Sequence, residues 1–357
     1  MPALDGLQCD VAVIGGGPAG LAAAIALRLR GFRVALADAR EPPIDKPCGE
    51  GILPPGVEAL RKLGIMLGTG DGFSLRGIRF MERGRSVEAS FPAARGVGLR
   101  RTRLHEMLVC RAAEVGVQFC WGTSVPDLSG LSNLQWIVGA DGEGSRIRRA
   151  CGLDSARLIS HRFGFRRHYQ LAPWTDFVEI HWGAGYQVYV TPVGPDEIGV
   201  ALLTRNPHLR LDAALDELPS LSGRLQGAQV TSTEGGASTT TRRLRRVYRG
   251  HAVLVGDASG SVDAITGEGL SLGFLQSLSL AQALEAGDPA IYQASHRRQA
   301  KSPVNMARAL LLLDRLPPLR RAVWRVFGMK PSLMDRVLTR YAEAETGPKA
   351  ILEESGY

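Results

Sequence analysis

The sequence predicts an α/β fold that consists of a doubly wound lobe, an inserted antiparallel β-sheet lobe and C-terminal helices. Three observations lead to this prediction. A strand, a glycine-rich turn and a helix open the chain, and a second glycine-rich turn follows a buried strand near residue 252. Between them, an alternating and aromatic stretch is typical of antiparallel strands. At 357 residues the chain is long enough for two lobes with their own cores.

The first glycine-rich turn has the pattern of a dinucleotide site. A short β-branched run over residues 11–14 predicts a buried parallel strand. Three glycines follow with the G-x-G-x-x-G spacing, namely Gly15, Gly17 and Gly20. The first permits the sharp turn, the second lets the backbone approach a pyrophosphate, and the third lets the next helix pack on the strand. We expect that helix over residues 21–30 and a second strand over 32–37.

An acidic residue ends the second strand. Asp38 lies 18 residues after Gly20, where a carboxylate would accept hydrogen bonds from the adenosine ribose. An acid there would repel a 2′-phosphate, so the spacing favours FAD or NAD over NADP.

Two further turns point to the other end of a long dinucleotide. Asp141 and Gly142 follow a predicted strand over residues 136–138, and Gly256 and Asp257 follow a strand over 251–255. Next, Gly267 to Leu270 open a helix that we expect to run to about residue 284. The positive end of that helix would favour negative charge on a bound ligand. Three ordered turns of this kind predict FAD held at both ends.

The chain order predicts a discontinuous FAD-binding domain. Residues 1–70, 100–155 and 245–300 form it, and residues 71–99 and 156–244 form a β-rich substrate domain. The C-terminal helical segment covers 301–357, with helices expected over 306–314, 320–327 and 333–345.

Composition argues against several classes of protein. The net charge of +8 comes from arginine clusters without a nucleic-acid motif, so we assign the clusters, including residues 162–167, to solvated faces and expect no nucleic-acid partner. The clusters and the apolar residues 310–313 leave peripheral membrane contact open, although a helix that covers the core is favoured there. Five cysteines without a C-x-x-C pair, and no signal peptide, predict a cytoplasmic protein. The spacing of His161, His168 and His181 matches no ligand motif, so no metal is expected.

The chain resembles the flavoprotein family that includes p-hydroxybenzoate hydroxylase-like monooxygenases and geranylgeranyl reductases. The resemblance runs from Asp10 to about Leu284 and rests on the three ordered motifs. It implies FAD contact by Arg101, with Arg100 as a competing choice. With the motif residues, the implied cofactor-binding set is Gly15, Gly17, Pro18, Ala19, Gly20, Asp38, Ala39, Arg40, Arg101, Asp141, Gly142, Gly256, Asp257, Gly267, Glu268, Gly269 and Leu270.

The motifs divide between the two branches of this family. The histidine and proline pair that the hydroxylases carry after Gly-Asp-Ala is absent from residues 256–269. The stretch from Lys46 through Cys48 to Gly51 is similar to the reductases' cysteine-glycine loop. Their aromatic Y-x-W-x-F-P signature, however, is degraded to Gln-Val-Tyr-Val-Thr-Pro over residues 187–192.

Few side chains are candidates for a direct role in the reaction. Cys48 is the candidate catalytic residue, although an inert cysteine in a tight loop is an equal alternative. Lys46 is a candidate to orient a substrate or a nicotinamide phosphate, but a surface lysine is favoured. Tyr186 and Tyr189 are candidates for contact with an apolar or aromatic substrate.

The favoured function is an NAD(P)H-driven flavin monooxygenase, because such a route needs few titratable side chains. The alternatives are a flavin reductase of carbon–carbon double bonds in an isoprenoid or polyketide, and a non-catalytic flavin-binding sensor. A NAD-dependent dehydrogenase with one Rossmann site is a further alternative.

Overall fold

The computed structural model describes residues 8–68, 70–92, 94–154, 157–330 and 333. The strands, in chain order, are β1 Val11–Ile14, β2 Val34–Ala37, β3 Gly51–Ile52, β4 Phe73–Leu75, β5 Gly77–Glu82, β6 Arg85–Ser90, β7 Gly96–Gly98, β8 Gln118–Cys120, β9 Trp136–Gly139, β10 Arg157–Gln170, β11 Phe177–Trp182, β12 Tyr186–Pro192, β13 Glu197–Thr204, β14 Gln229–Val230, β15 Gly235–Arg243, β16 Tyr248–Arg249 and β17 Ala252–Leu254. The helices are α1 Pro18–Arg28, α2 Pro54–Lys62, α3 Arg101–Glu114, α4 Arg146–Ala150, α5 Leu211–Asp216, α6 Pro219–Leu225, α7 Gly269–Glu285, α8 Pro289–Arg315 and α9 Pro317–Met329.

A largely parallel six-stranded sheet builds the first lobe. Its order is β16-β17-β9-β1-β2-β8, and the pairs from β17 to β8 are parallel. Strand β1 is fully buried, as its β-branched run predicts. Because the strands are parallel, β1, β2, β9 and β17 all end at one edge of the sheet, where ligands bind in doubly wound folds.

An eight-stranded sheet builds the second lobe. Its order is β14-β10-β13-β12-β11-β5-β6, and β15 also pairs with β10. The predicted hairpin over residues 71–99 joins this sheet through β5, which lies parallel to β11, whereas the other pairs are antiparallel. A small sheet, β3-β7-β4, lies beside it. The predicted fold class is confirmed.

The helices differ from the prediction mainly in their bounds. Helix α1 begins at Pro18, because a proline at the first helical position loses no backbone hydrogen bond. Helix α8 contains Pro303 and begins at Pro289, so the domain boundary predicted at residue 300 falls inside it. The helix predicted over residues 333–345 lies outside the described residues, apart from Leu333.

Candidate functional site

A cavity of about 680 Å³ lies at the edge where the parallel strands end. This size is typical of sites that hold cofactors or drug-sized ligands. Fourteen of the predicted cofactor-binding residues line it: Gly15, Gly17, Pro18, Ala19, Asp38, Ala39, Arg40, Arg101, Asp141, Gly142, Gly256, Asp257, Gly269 and Leu270. We call it the dinucleotide cavity.

The glycines of this cavity divide into two groups. A Cβ at Gly17, Gly142 or Gly269 would meet no described atom within 4 Å, so the backbone there is open to a ligand. A Cβ at Gly20 would overlap the carbonyl oxygen of Gly15 instead, and Gly20 lines neither this cavity nor the second one described below. Gly20 therefore lets α1 pack against the turn, and the open glycines form a cradle into which a pyrophosphate fits.

Three aspartates line the dinucleotide cavity and differ in their hydrogen-bond partners. Asp38 accepts hydrogen bonds from the backbone N–H of Gly16 at 2.7 Å and of Arg40 at 2.8 Å, so part of its capacity orders the turn. Asp141 accepts from the backbone at the start of α4, as well as from its N-cap residue, Ser145. Asp257 pairs with Lys46 at 3.4 Å, and its side chain is 44% exposed. Asp257 thus keeps an accessible carboxylate for a ligand hydroxyl.

The two candidate arginines have different partners. Arg100 donates to Glu197 at 2.7 Å and begins α3 as its N-cap residue. Arg101 lines the cavity, and its buried Nε has no hydrogen-bond partner among the described residues. A buried cationic donor without a protein partner fits an anionic or carbonyl group of a ligand. The structure therefore favours Arg101 over Arg100.

A second cavity of about 220 Å³ opens from the first. The two share seven lining residues: Lys46, Arg101, Ala237, Ser238, Asp257, Gly269 and Leu270. Its remaining wall is largely apolar and includes Phe165, Tyr189, Ala201, Leu202, Leu203 and Val262. Gly267, Glu268 and Cys48 line this second cavity, which lies next to the N-terminus of α7. We call it the apolar cavity.

A buried ionic network fixes the loop that carries Cys48. Glu50, 1% exposed and with φ of +57°, accepts hydrogen bonds from the Arg101 backbone N–H at 2.8 Å and from Arg166 at 2.9 Å. Its other carboxylate oxygen lies 2.6 Å from Nε2 of His168. The backbone N–H of Glu50 donates to Cys48 Sγ at 3.3 Å. The network ties the loop to α3 and to β10.

A buried histidine supports the first glycine turn. Nε2 of His105 donates to the carbonyl oxygen of Gly16 at 2.9 Å, and the side chain is fully buried. Burial lowers the pKa of His105, and the hydrogen bond to the Gly16 carbonyl opposes that effect in part. The imidazole is therefore neutral at pH 7, and it supports the turn without placing a positive charge in this buried position.

The comparisons with known proteins agree with this geometry. Residues 8–130 match the family described as FAD binding domain. The chain is 28% identical to menaquinone reductase of Mycolicibacterium smegmatis, over 87% of this chain and 85% of that one. It is 27% identical to the 12-dehydrotetracycline 5-monooxygenase/anhydrotetracycline 6-monooxygenase of Streptomyces rimosus, over 78% of this chain and 63% of the relative. The p-nitrophenol 4-monooxygenase PnpA of Pseudomonas putida has a similar fold, with a TM-score of 0.77 at 18% identity over 94% of this chain and 98% of that one.

The protein is an FAD-dependent oxidoreductase. Its relatives include flavin monooxygenases, as the p-hydroxybenzoate hydroxylase-like motifs imply. Among the described residues of the enzyme, no helix is both long and apolar enough to cross a bilayer.

The structure corrects one of the two predicted substrate contacts, that of Tyr186. Tyr186 of the oxidoreductase is 2% exposed and donates to the Ala214 carbonyl and to Glu217, so it packs in the core beside α5 and lines neither cavity. Tyr189 lines the apolar cavity, and its hydroxyl donates to the Ile265 carbonyl at 2.9 Å. The two residues are three positions apart on β12, and side chains at odd separations point to opposite faces of a strand.

Lys46 of the oxidoreductase lines both cavities, and its side chain is 37% exposed. The surface assignment of residues 162–167 is corrected. Arg162 and Arg166 are buried, and Arg166 lines the apolar cavity while it donates to Asp45 at 2.7 Å. They share one face of β10 with His168, whereas Arg167 points the other way and pairs with Asp212. The repeated even spacing on a long strand was the sequence signal for this buried face.

Proposed function

We propose that FAD occupies the dinucleotide cavity along its length. Gly15, Gly17 and α1 would face the pyrophosphate, Asp38 the adenosine ribose, Asp257 the ribityl chain, and the N-terminus of α7 the flavin ring. The open glycine cradle and the unpartnered Nε of Arg101 support this placement. The FAD-binding domain would comprise residues 1–70, 100–155 and 245–300, and the substrate domain 71–99 and 156–244. FAD supplies the redox chemistry, and the chain orients it and shields it from water.

We infer that an apolar or aromatic small molecule is the substrate. The observation that carries this inference is the apolar cavity, which shares seven lining residues with the dinucleotide cavity and so opens at its flavin end. Tyr189 and Phe165 offer flat apolar contacts, and Arg166 places a cation at the wall. A substrate with an aromatic ring and one oxygen function matches this lining.

Monooxygenation is the reaction that we favour, with NADH or NADPH as electron donor. The tetracycline monooxygenase and PnpA support it by similarity. The test measures oxygen uptake with candidate phenols and polycyclic substrates. We expect one O2 consumed per nicotinamide oxidised and one labelled oxygen atom in the product. Turnover without oxygen would contradict this reaction.

A reductase of carbon–carbon double bonds is the second candidate. It is favoured by Cys48, which lines the apolar cavity, and by the similarity to menaquinone reductase over most of both chains. Under argon, such an enzyme would oxidise one nicotinamide for each double bond that gains two hydrogens. Cys48→Ala would then slow turnover but leave flavin content unchanged, while the exposed Cys110→Ala serves as the matched control. Equal rates for the two variants would remove Cys48 from the reaction.

We also propose a cytoplasmic location. None of the five cysteines, all of which lie among the described residues, forms a disulfide, which is typical of proteins in a reducing compartment.

A further inference from the structure

The end of α8 and the whole of α9 form a surface of unusual composition. Every exposed residue between positions 308 and 330 is either apolar or cationic. The large apolar residues are between 39% and 68% exposed, and they are Leu312, Leu316, Leu319, Val326 and Met329. The cations are Arg308, Arg315, Arg321, Arg325 and Lys330. We call these ten residues the α8–α9 surface.

The acid within this range does not offset the charge. Asp314 is buried, and its carboxylate accepts hydrogen bonds from Arg205 at 2.6 Å and Arg162 at 3.3 Å, on the inner side of α8. The buried cation Arg320 pairs with Glu82 at 2.7 Å. Within residues 308–330, therefore, no exposed acid offsets the five cations of the α8–α9 surface.

The outward face of α9 differs from that of an ordinary surface helix. Trp324 packs inward on Phe80, with ring centroids 4.9 Å apart. Leu319, Val326 and Met329 recur at helical spacing on the opposite side, where polar residues are usual, with Arg321 and Arg325 at its edge. A helix that merely covered the core would not need this second apolar face.

We propose that the α8–α9 surface docks the protein on an anionic lipid bilayer. Exposed leucine, valine and methionine side chains gain free energy at the boundary between headgroups and acyl chains, and arginine and lysine are attracted to anionic headgroups. The combination of both residue types, without an exposed acid between positions 308 and 330, is complementary to such a membrane surface.

The docked face lies behind one wall of the apolar cavity. Trp324 and Leu310 belong to the same buried cluster as Tyr189 and Ile265, and Tyr189 lines that cavity. A bilayer bound at the α8–α9 surface would therefore lie one helical layer from the proposed substrate site. The docking itself does not depend on which reaction the site performs.

The test is cosedimentation of the full-length, FAD-loaded protein with lipid vesicles. We expect binding to phosphatidylcholine vesicles that contain about 30% phosphatidylglycerol, little binding to phosphatidylcholine alone, and release at about 1 M salt. The triple variant Arg315→Glu, Arg321→Glu, Arg325→Glu should bind at least about a hundredfold more weakly, since each cation near an anionic surface strengthens binding about fivefold.

A matched variant controls for net charge. Arg149→Glu, Arg243→Glu and Arg246→Glu change three exposed arginines elsewhere by the same total charge, and this variant should bind as the wild type does. If the first triple variant loses its fold by circular dichroism, Leu316→Gln with Met329→Gln tests the apolar contribution at unchanged charge, and weaker binding is again expected.

Three results would overturn the proposal. The first is equal binding by the surface and control variants. The second is a wild-type dimer in sedimentation velocity that fails to bind vesicles and is dissociated by the surface triple variant, which would assign the face to a second copy of the chain. The third is a wild-type monomer that does not bind vesicles, as expected if residues 331–357 cover the surface.

Discussion

Gly17 and Gly20, which lie three and six positions after β1, differ in what a side chain there would meet, and this difference can be measured. At Gly17 the φ of −73° suits any residue, and an added Cβ would point into open space in the dinucleotide cavity. At Gly20 an added Cβ would collide with the Gly15 carbonyl. We expect Gly17→Ala to weaken FAD retention at least tenfold with little effect on the apoprotein, because the methyl group displaces the pyrophosphate. Gly20→Ala should instead lower the thermal midpoint of the apoprotein.

Flavin content after gel filtration and thermal denaturation of the apoprotein check this pair of variants. An apoprotein that is equally destabilised by both substitutions would show that Gly17 serves packing rather than the cofactor.

Glu50 is the residue on which the Cys48 loop depends. It neutralises Arg166 in a buried place and also bonds the start of α3, so removal of its charge leaves a buried cation with one remaining carboxylate, Asp45. We expect Glu50→Gln to lower the free energy of unfolding by about 2–4 kcal/mol. Glu58→Gln, which breaks an exposed pair with Arg61, should change it by less than about 0.5 kcal/mol.

Urea unfolding of both variants measures the difference, and the rate of Cys48 alkylation reports on the loop itself. A faster rate in Glu50→Gln alone is expected, since the loop would loosen. An unchanged rate together with unchanged stability would mean that Asp45 suffices to hold Arg166.

At the scale of elements, the sequence predicted best what is local. Strands β1, β9 and β17 are short apolar runs that each lead into a glycine turn, and helix α7 begins where Gly267 to Leu270 predicted a start. The sequence predicts a helix over residues 306–314, whereas α8 runs from Pro289 to Arg315 and contains Pro303, a residue that usually breaks a helix. Pro303 is buried within the folded protein. Local sequence preference cannot predict the tertiary packing that stabilises the helix around this proline.

The sheet that builds the apolar cavity was harder to predict in detail. Its strands were expected, but the faces of β10 and β12 depend on which neighbours cover them. Strand β10 pairs with β13 on one side and with β14 and β15 on the other, and the segment with Asp45 and Glu50 contacts Arg166 and His168 on its buried face. The contribution of Ala237 and Ser238 to both cavities follows from the β10–β15 pairing, which joins residues about 75 positions apart. In contrast, the spacing of Tyr186 and Tyr189 alone is enough to predict that their side chains lie on opposite faces of the strand.

At the scale of the whole molecule, helix α8 holds the second glycine turn in place. Tyr292 donates to the Leu254 carbonyl at 2.9 Å, and Nε2 of His296 lies 2.9 Å from Ser259 Oγ. Ser259 in turn donates to the carbonyl of Gly256 at 2.8 Å. Helix α8 thus positions a turn of the dinucleotide cavity. A change of protonation that disturbs α8 would therefore also disturb the site.

His296 makes this coupling dependent on pH. Burial, with a smaller effect of the nearby Arg297 cation, lowers the pKa of His296 from 6.5 to about 4. The unfolded chain therefore binds a proton at higher pH than the folded one does, so the stability contribution is present above pH 6.5 and is lost as the pH falls toward 4. Between pH 7 and pH 5 we expect this residue to lower the free energy of unfolding by about 2 kcal/mol. Urea unfolding at the two pH values measures the loss, which should shrink by about that amount in His296→Gln. The exposed His208→Gln should keep the wild-type pH dependence, and an identical loss in both variants would show that other groups cause the acid sensitivity.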